Sequence, residues 1–323
     1  MTDVPLLPDA PSWFRKALSI PVTDNVVTVG GANIHYLAWG ERGRRGLVFV
    51  HGGAANAHWW SHIASTFAED YRVIAIDLSG HGDSDRRAAY ELERWTEEVV
   101  AVAVHGGVAG KAVVVGHSMG GFVTIATAAL HPDELAGVII CDSPVTTPDP
   151  EVRAHSNRDA FGKARIYESF ELAISRFRAV PEQKIQLDYI MDHIARHSVK
   201  QVEGGWRYKF DPGIFQSFSG GMRQIARPYL AQITCRFALL RSQYGLVTKG
   251  IGREMYDALG RVAPVIELPQ AGHHPMLDQP LVLLTALRAL LADWDHSDPL
   301  HAPAGRSAVS HSGVAVGNTR DHE

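Results

Sequence analysis

The chain has 323 residues, 46% of them hydrophobic and 20% charged, which is enough apolar material for a large core and excludes a chain disordered throughout. Its 31 lysines and arginines against 35 aspartates and glutamates leave a formal charge of −4 with no basic stripe, which speaks against nucleic acid as a partner. Two cysteines, Cys141 and Cys235, furnish neither a disulfide framework nor a tetrathiolate site, and no run approaches the roughly 20 apolar residues of an integral membrane span.

In chain order, residues 1–23 read as an N-terminal extension whose prolines and scattered charges do not make a signal peptide, so a cytoplasmic protein is expected. From residue 26 onward, short β-branched runs alternate with amphipathic patterns, as in a mostly parallel sheet with helices on both faces. Eight strands are expected, at 26–29, 34–38, 47–50, 73–76, 112–115, 138–141, 237–240 and 265–268, the first two forming a hairpin turned at Gly30-Gly31. Helical spacing of apolar residues marks Trp60, Ile63 and Phe67, then Leu92, Trp95, Val99 and Val102, then Phe122, Ile125, Ala126 and Ala129, and last Leu283, Leu287, Leu290 and Trp294. The one long break in the strand rhythm, 144–229, has helical patterns of its own around Phe170 and Ile190 and reads as a helical cap. It divides an α/β core of 24–143 and 230–296. Residues 297–323 turn to Ser, Gly, Ala, His and Pro and are expected to be a disordered tail.

The strongest chemical signal is Gly116-His117-Ser118-Met119-Gly120, a G-x-S-x-G sequence between an expected strand and an expected helix. A serine hydroxyl is a weak nucleophile, and a sharp strand-to-helix turn holds it clear of the sheet at a helix N-terminus. The base it needs must come from seventeen histidines. His273 follows the last expected strand and precedes the final helix, so it lies at the same sheet edge as Ser118, with His274 as its adjacent competitor. Backbone N–H donors for a developing oxyanion are expected from Met119, after the nucleophile, and from Gly53 in His51-Gly52-Gly53.

Together His51-Gly52-Gly53, Asp77-Leu78-Ser79-Gly80-His81-Gly82-Asp83-Ser84, the serine motif and Ala271-Gly272-His273 resemble the α/β-hydrolase superfamily, over about 26–294. The resemblance implies the α/β-hydrolase fold with an inserted cap, and a mainly structural duty for the loop holding His81 and Asp83. It also separates the chain from epoxide hydrolases and haloalkane dehalogenases, which are similar in cap and sheet but attack with an aspartate at this elbow.

The acid departs from the family pattern. After the penultimate strand the sequence reads Leu240-Arg241-Ser242-Gln243-Tyr244-Gly245, and no carboxylate occurs after Asp211 until Glu254. Asp142, at the end of the 138–141 strand, holds a position that resembles where some members, such as certain haloalkane dehalogenases, carry their acid. Glu254 is a fallback, and a dyad oriented by water or Gln243 is a third possibility. No metal or dinucleotide motif is present, so no cofactor is implied. The reading is a serine hydrolase of a small-molecule carboxylic ester, lactone or thioester, with Ser118, His273 and Asp142 as triad. Trp59, Trp60, Trp206 and Tyr208 are expected to line its substrate pocket. Hydrolysis of a carbon–carbon bond beside a ketone, and a non-catalytic ligand-binding protein on a hydrolase frame, are the alternatives. The oligomeric state is left open.

Overall fold

A computed structural model describes residues 7–145, 165–218 and 222–297. The chain separates into two compact units, 1–286 and 287–323. The first contains a sheet of eight strands, namely β1 (Thr23–Val29), β2 (Ala32–Trp39), β3 (Arg45–Val50), β4 (Arg72–Ile76), β5 (Ala109–His117), β6 (Leu135–Cys141) and, after a small hairpin of β7 (Val199–Val202) and β8 (Gly205–Tyr208), β9 (Arg236–Tyr244) and β10 (Val265–Gly272). Their order is β1-β2-β4-β3-β5-β6-β9-β10. β1 pairs antiparallel with β2 and β2 with β4, while every other pairing is parallel.

The central strands are continuous apolar runs because both faces are covered. Leu47, Val48, Phe49 and Val50 of β3 and Val73, Ile74, Ala75 and Ile76 of β4 are all buried. One face packs against the helices Leu92–His105 and Met119–Leu130, which contribute Trp95, Val99, Phe122 and Ile125 to a core shared with Val48, Ile74 and Val114. The apolar rhythm at Trp60, Ile63 and Phe67 folds as a helix Ser61–Ala64 between two 3₁₀ turns, with its Trp60 ring 5.0 Å from that of Phe49.

Register fixes the working edge of the sheet. Val50 pairs with Gly116, Gly116 with Ile140, Cys141 with Leu240, and Tyr244 with Gly272. The residues just beyond β3, β5, β6 and β10 therefore emerge side by side, as the ends of parallel strands do at the binding edge of open α/β sheets.

Between β6 and β9 the described residues form helices Phe170–Ser175, Asp188–His197, Gly213–Ser217 and Met222–Leu230 and the antiparallel β7–β8 pair. The hairpin is an addition to the helices expected there. Its four-residue strands are too short for a clear two-residue rhythm, and β7 begins two residues after a strongly amphipathic helix. Asn56 Nδ2 donates to Ser198 Oγ at 2.9 Å and ties the insertion to the loop after β3. The final helix is Pro280–His296, and the description ends at Ser297. The expected tail lies outside the described residues from 298 onward, as do 146–164 and 219–221 of the expected cap.

Candidate active site

Ser118 sits between β5 and the helix Met119–Leu130 with φ 53° and ψ −117°, a sparsely populated conformation that costs on the order of 1–3 kcal/mol and is held only by its surroundings. Those surroundings are close backbone approaches. A Cβ built on Gly120 would lie 2.4 Å from the carbonyl oxygens of Val50 and His51, so only glycine lets this helix start directly over the end of β3.

The His273 ring bridges two residues. Ser118 Oγ–H donates to its Nε2 at 2.9 Å, and its Nδ1–H donates to Asp142 Oδ2 at 2.7 Å. Asp142, fully buried with a φ of 45°, also accepts from the backbone amides of Leu246 at 2.7 Å, Val247 at 3.1 Å and Ser242 at 3.3 Å. A carboxylate can accept all four donors at once, which offsets the cost of burying it away from water. The end of β9 and the segment after it, which lack an acid of their own, thus supply the amides that hold one from the end of β6. Glu254 is exposed on the helix Lys249–Ala258, and the side chain of Gln243 accepts from the Gln270 amide at 2.8 Å instead of facing His273.

Several residues that the sequence motif did not single out set this geometry. His117 Nε2–H donates to the His273 carbonyl at 2.7 Å, and burial pushes the His117 imidazole down to about 3, so it stays neutral. Asp278 Oδ2 accepts from the Gly272 amide at 2.6 Å, and burial raises its carboxyl to about 6. His274 is buried next to His273 with Trp59 edge-on at 5.4 Å.

The turn His51-Gly52-Gly53 lies against the nucleophile. A Cβ on Gly52 would come within 3.4 Å of Ser118 Cβ, and one on Gly53 within 3.8 Å of Met119 Sδ. Among the described residues neither the Gly53 nor the Met119 amide has an acceptor. Asp77 braces this turn from below, accepting from the amides of Ala57 at 2.6 Å and Asp83 at 2.9 Å and from His35 Nδ1–H at 2.7 Å. His81 is buried against His51, with ring centroids 4.7 Å apart, and Asp83 pairs with Lys209 at 2.6 Å. Both belong to this scaffold, not to the reacting edge.

A cavity of about 310 Å³ opens beside Gly53 and is walled by Trp59, Phe177, Tyr208 and several arginines of the insertion. Trp60 and Trp206 do not reach its wall. Trp60 is fully buried against Phe49, and Trp206 meets Phe170 edge-on at 5.0 Å within the insertion's own small core.

Among the described residues, three sets of side chains bring possible metal-ligand atoms within 4.8 Å of one another. In one, both His273 nitrogens are already engaged by Ser118 and Asp142. In another, His35 bridges Asp24 and Asp77. The third, His58, His193 and His197, keeps lone pairs free. Ser61 Oγ–H donates to the His58 carbonyl and must accept from His193 Nε2–H, which leaves His193 Nδ1 open, and His197 Nδ1–H donates to the His193 carbonyl, which leaves Nε2 open. This is the set that could hold a transition metal.

The strand order, the serine elbow and the histidine loop define the α/β-hydrolase class of fold. Residues 47–286 match the model of the Alpha/beta hydrolase family, and the chain belongs to that family. Over 254 residues it is 34% identical to the pimeloyl-[acyl-carrier protein] methyl ester esterase of Sodalis glossinidius, covering 76% of this chain and 93% of that protein. It is 25% identical over 276 residues to the esterase Rv0045c of Mycobacterium tuberculosis, covering 82% and 89%. Epoxide hydrolase 4 of Mus musculus is 32% identical over 117 residues, and the chain spans about a third of that relative's length. The crystal structure of E-2-(acetamidomethylene)succinate hydrolase superposes with a TM-score of 0.72 at 20% identity, covering 84% of this chain and all of that one, a likeness of fold.

Proposed function

We propose that this protein is a serine hydrolase that cleaves a carboxylic ester, lactone or thioester of a small molecule through an acyl-enzyme. The observation that carries the reading is the single His273 ring within hydrogen-bond reach of both Ser118 and Asp142. His273 takes the Ser118 proton as Oγ attacks the acyl carbon, and the Asp142 carboxylate stabilises the imidazolium that forms. The amides of Gly53 and Met119 receive the negative charge that develops on the carbonyl oxygen. Collapse of the tetrahedral intermediate expels the alcohol, which takes the proton from His273. Water, deprotonated by the same imidazole, then releases the acid and restores Ser118.

Two of the relatives are named as esterases, and one of them is a methyl ester esterase, which favours ester cleavage over the carbon–carbon bond hydrolysis that the same three residues would also serve. Residues 144–229 are taken as the cap over a core of 24–143 and 230–296. Among the described residues no helix is long and apolar enough to cross a membrane. Both cysteines are free, which suits the reducing cytoplasm where we place the enzyme. The test is pre-steady-state kinetics with a p-nitrophenyl ester. A burst of one p-nitrophenol per enzyme is expected, lost in Ser118→Ala, and turnover retained in that variant would refute the reading.

A further inference from the structure

We propose that the substrate carries, apart from its scissile ester, an anionic group that seats among Arg165, Arg176, Arg178 and Arg207 in the cavity beside Gly53. The inference rests on the reading of Ser118 as an acyl-transfer nucleophile and names the class of acyl compound it serves.

The four arginines come from separated places in the insertion: one precedes the helix Phe170–Ser175, two follow it, and Arg207 lies on β8. All four line one cavity, and among the described residues no aspartate or glutamate lines it with them. Elsewhere in this acidic chain, arginines find partners, as Arg87 does with Glu98, Arg196 with Asp192, Arg241 with Glu267 and Arg261 with Asp257. Among the described residues none of the four guanidinium groups has a carboxylate oxygen within salt-bridge distance. Asp211, whose charge reaches Arg207, is engaged by the Tyr90 hydroxyl at 2.8 Å and by Arg86 at 3.9 Å.

Gathering like charges without a counterion is unfavourable; Arg165, Arg176 and Arg178 reach the cavity from exposed positions, and Arg207 is half-buried. Arg178 donates to the carbonyls of Ser175 and Phe177, and Arg165 lies over the Tyr167 ring at 5.5 Å. Arg207 Nε and the indole N–H of Trp59, which also lines the cavity, are buried donors with no acceptor. A buried donor left unpaired costs about 1–3 kcal/mol, so these two unpaired donors, beside arginines with no carboxylate partner among the described residues, are complementary to an acceptor-rich anion. Gly53 closes one end of the cavity, while Phe177 and Tyr208 supply apolar wall. The fit is an acyl ester with a short apolar spacer and a terminal carboxylate or phosphate. The carboxylate is the smaller and suits a volume of about 310 Å³ at the low end of ligand sites.

The experiment compares kcat/KM for p-nitrophenyl half-esters of five- to seven-carbon dicarboxylic acids with p-nitrophenyl esters of the monocarboxylic acids of equal length. It uses the full chain and the variants Arg207→Gln and Arg176→Gln. A preference of about tenfold or more for the half-ester is expected, shrinking as salt rises, and either variant is expected to lower the ratio of half-ester to neutral-ester kcat/KM several-fold. Arg176 is exposed, so its variant keeps the test meaningful if Arg207→Gln melts early. A second arm needs no turnover: the free dicarboxylates, and separately phosphopantetheine, are tested for protection of the protein against a fluorophosphonate and for raising its melting temperature. Protection by phosphopantetheine alone assigns the anion as phosphate. Preference for the neutral ester, equal loss on both esters in the variants, or protection by neither anion overturns the proposal. Absence of any labelling at Ser118 would instead overturn the acyl-enzyme reading.

Discussion

Gly245 faces the Asp142 carboxylate so closely that a Cβ built on it would lie 2.2 Å from Oδ2. The backbone of Gly245 is in an ordinary region, so the requirement is for space and not for conformational freedom. Its neighbours Leu246 and Val247 donate to the carboxylate, so a methyl group here moves Asp142 and with it the His273 ring. Gly245→Ala is expected to lower kcat by on the order of 10²-fold with a smaller effect on KM, since misplacing a positioned catalytic group by about 1 Å costs that much. Steady-state kinetics check it, and an unchanged kcat would show that the carboxylate does not orient the base.

Asp142→Asn is expected to reduce turnover by about 10³- to 10⁴-fold. All four groups facing this side chain are donors, so an amide must turn its own NH₂ toward one of them. The variant should therefore also lose on the order of 1–3 kcal/mol of stability. Glu254→Gln, on an exposed helix position, should be neutral in both assays. Denaturant titrations alongside kinetics separate the two effects, and the reverse pattern would transfer the acid role to Glu254.

His35 links folding to alkaline pH. Burial alone would lower its imidazole, but the hydrogen bond and charge of Asp77, with Asp24 and Asp83, outweigh it and raise the group to about 9 from 6.5. A folded-state value above the unfolded one contributes stability that is full below about pH 6.5 and is lost as pH rises through about 9. The melting temperature should fall across that window, and His35→Gln should be less stable near neutrality with a flatter profile. A wild-type profile level from pH 6 to 10 would contradict the pairing.

The sheet was legible in the sequence because burial on both faces leaves apolar runs such as Val48-Phe49-Val50 with no competing rhythm. Ser118 and His273 could be read from position, each just past a strand whose end the register brings to one edge. Asp142 could be approached by elimination together with its resemblance to the place where some family members carry their acid. Its seat is made of the amides of Ser242, Leu246 and Val247, which every non-proline residue carries, so side-chain identities do not reveal it. Gly245, among larger residues, is the trace it leaves. The arginine cavity was invisible for a different reason: its members are separated in sequence and meet only when the helix Phe170–Ser175 and β8 pack together.

Trp59 and Trp60 are adjacent in sequence and opposite in role. Trp60→Ala empties a fully buried site beside Phe49 and is expected to cost about 3–5 kcal/mol with substrate preference unchanged. Trp59→Ala removes part of the cavity wall and the ring against His274, and should shift the acyl-length profile of an ester panel. Thermal melts and the panel together check the pair, and an unchanged profile in Trp59→Ala would remove Trp59 from the substrate site.

The most direct measurement is peptide mass spectrometry of the protein after reaction with a fluorophosphonate. Because, among the described residues, Ser118 Oγ alone is held against the Nε2 of a carboxylate-oriented histidine, one adduct per chain is expected, on the peptide containing Gly116-His117-Ser118-Met119-Gly120. The adduct should be absent in Ser118→Ala and formed much more slowly in Asp142→Asn. An unlabelled Ser118 in a folded protein, or an adduct on another residue, would contradict the account.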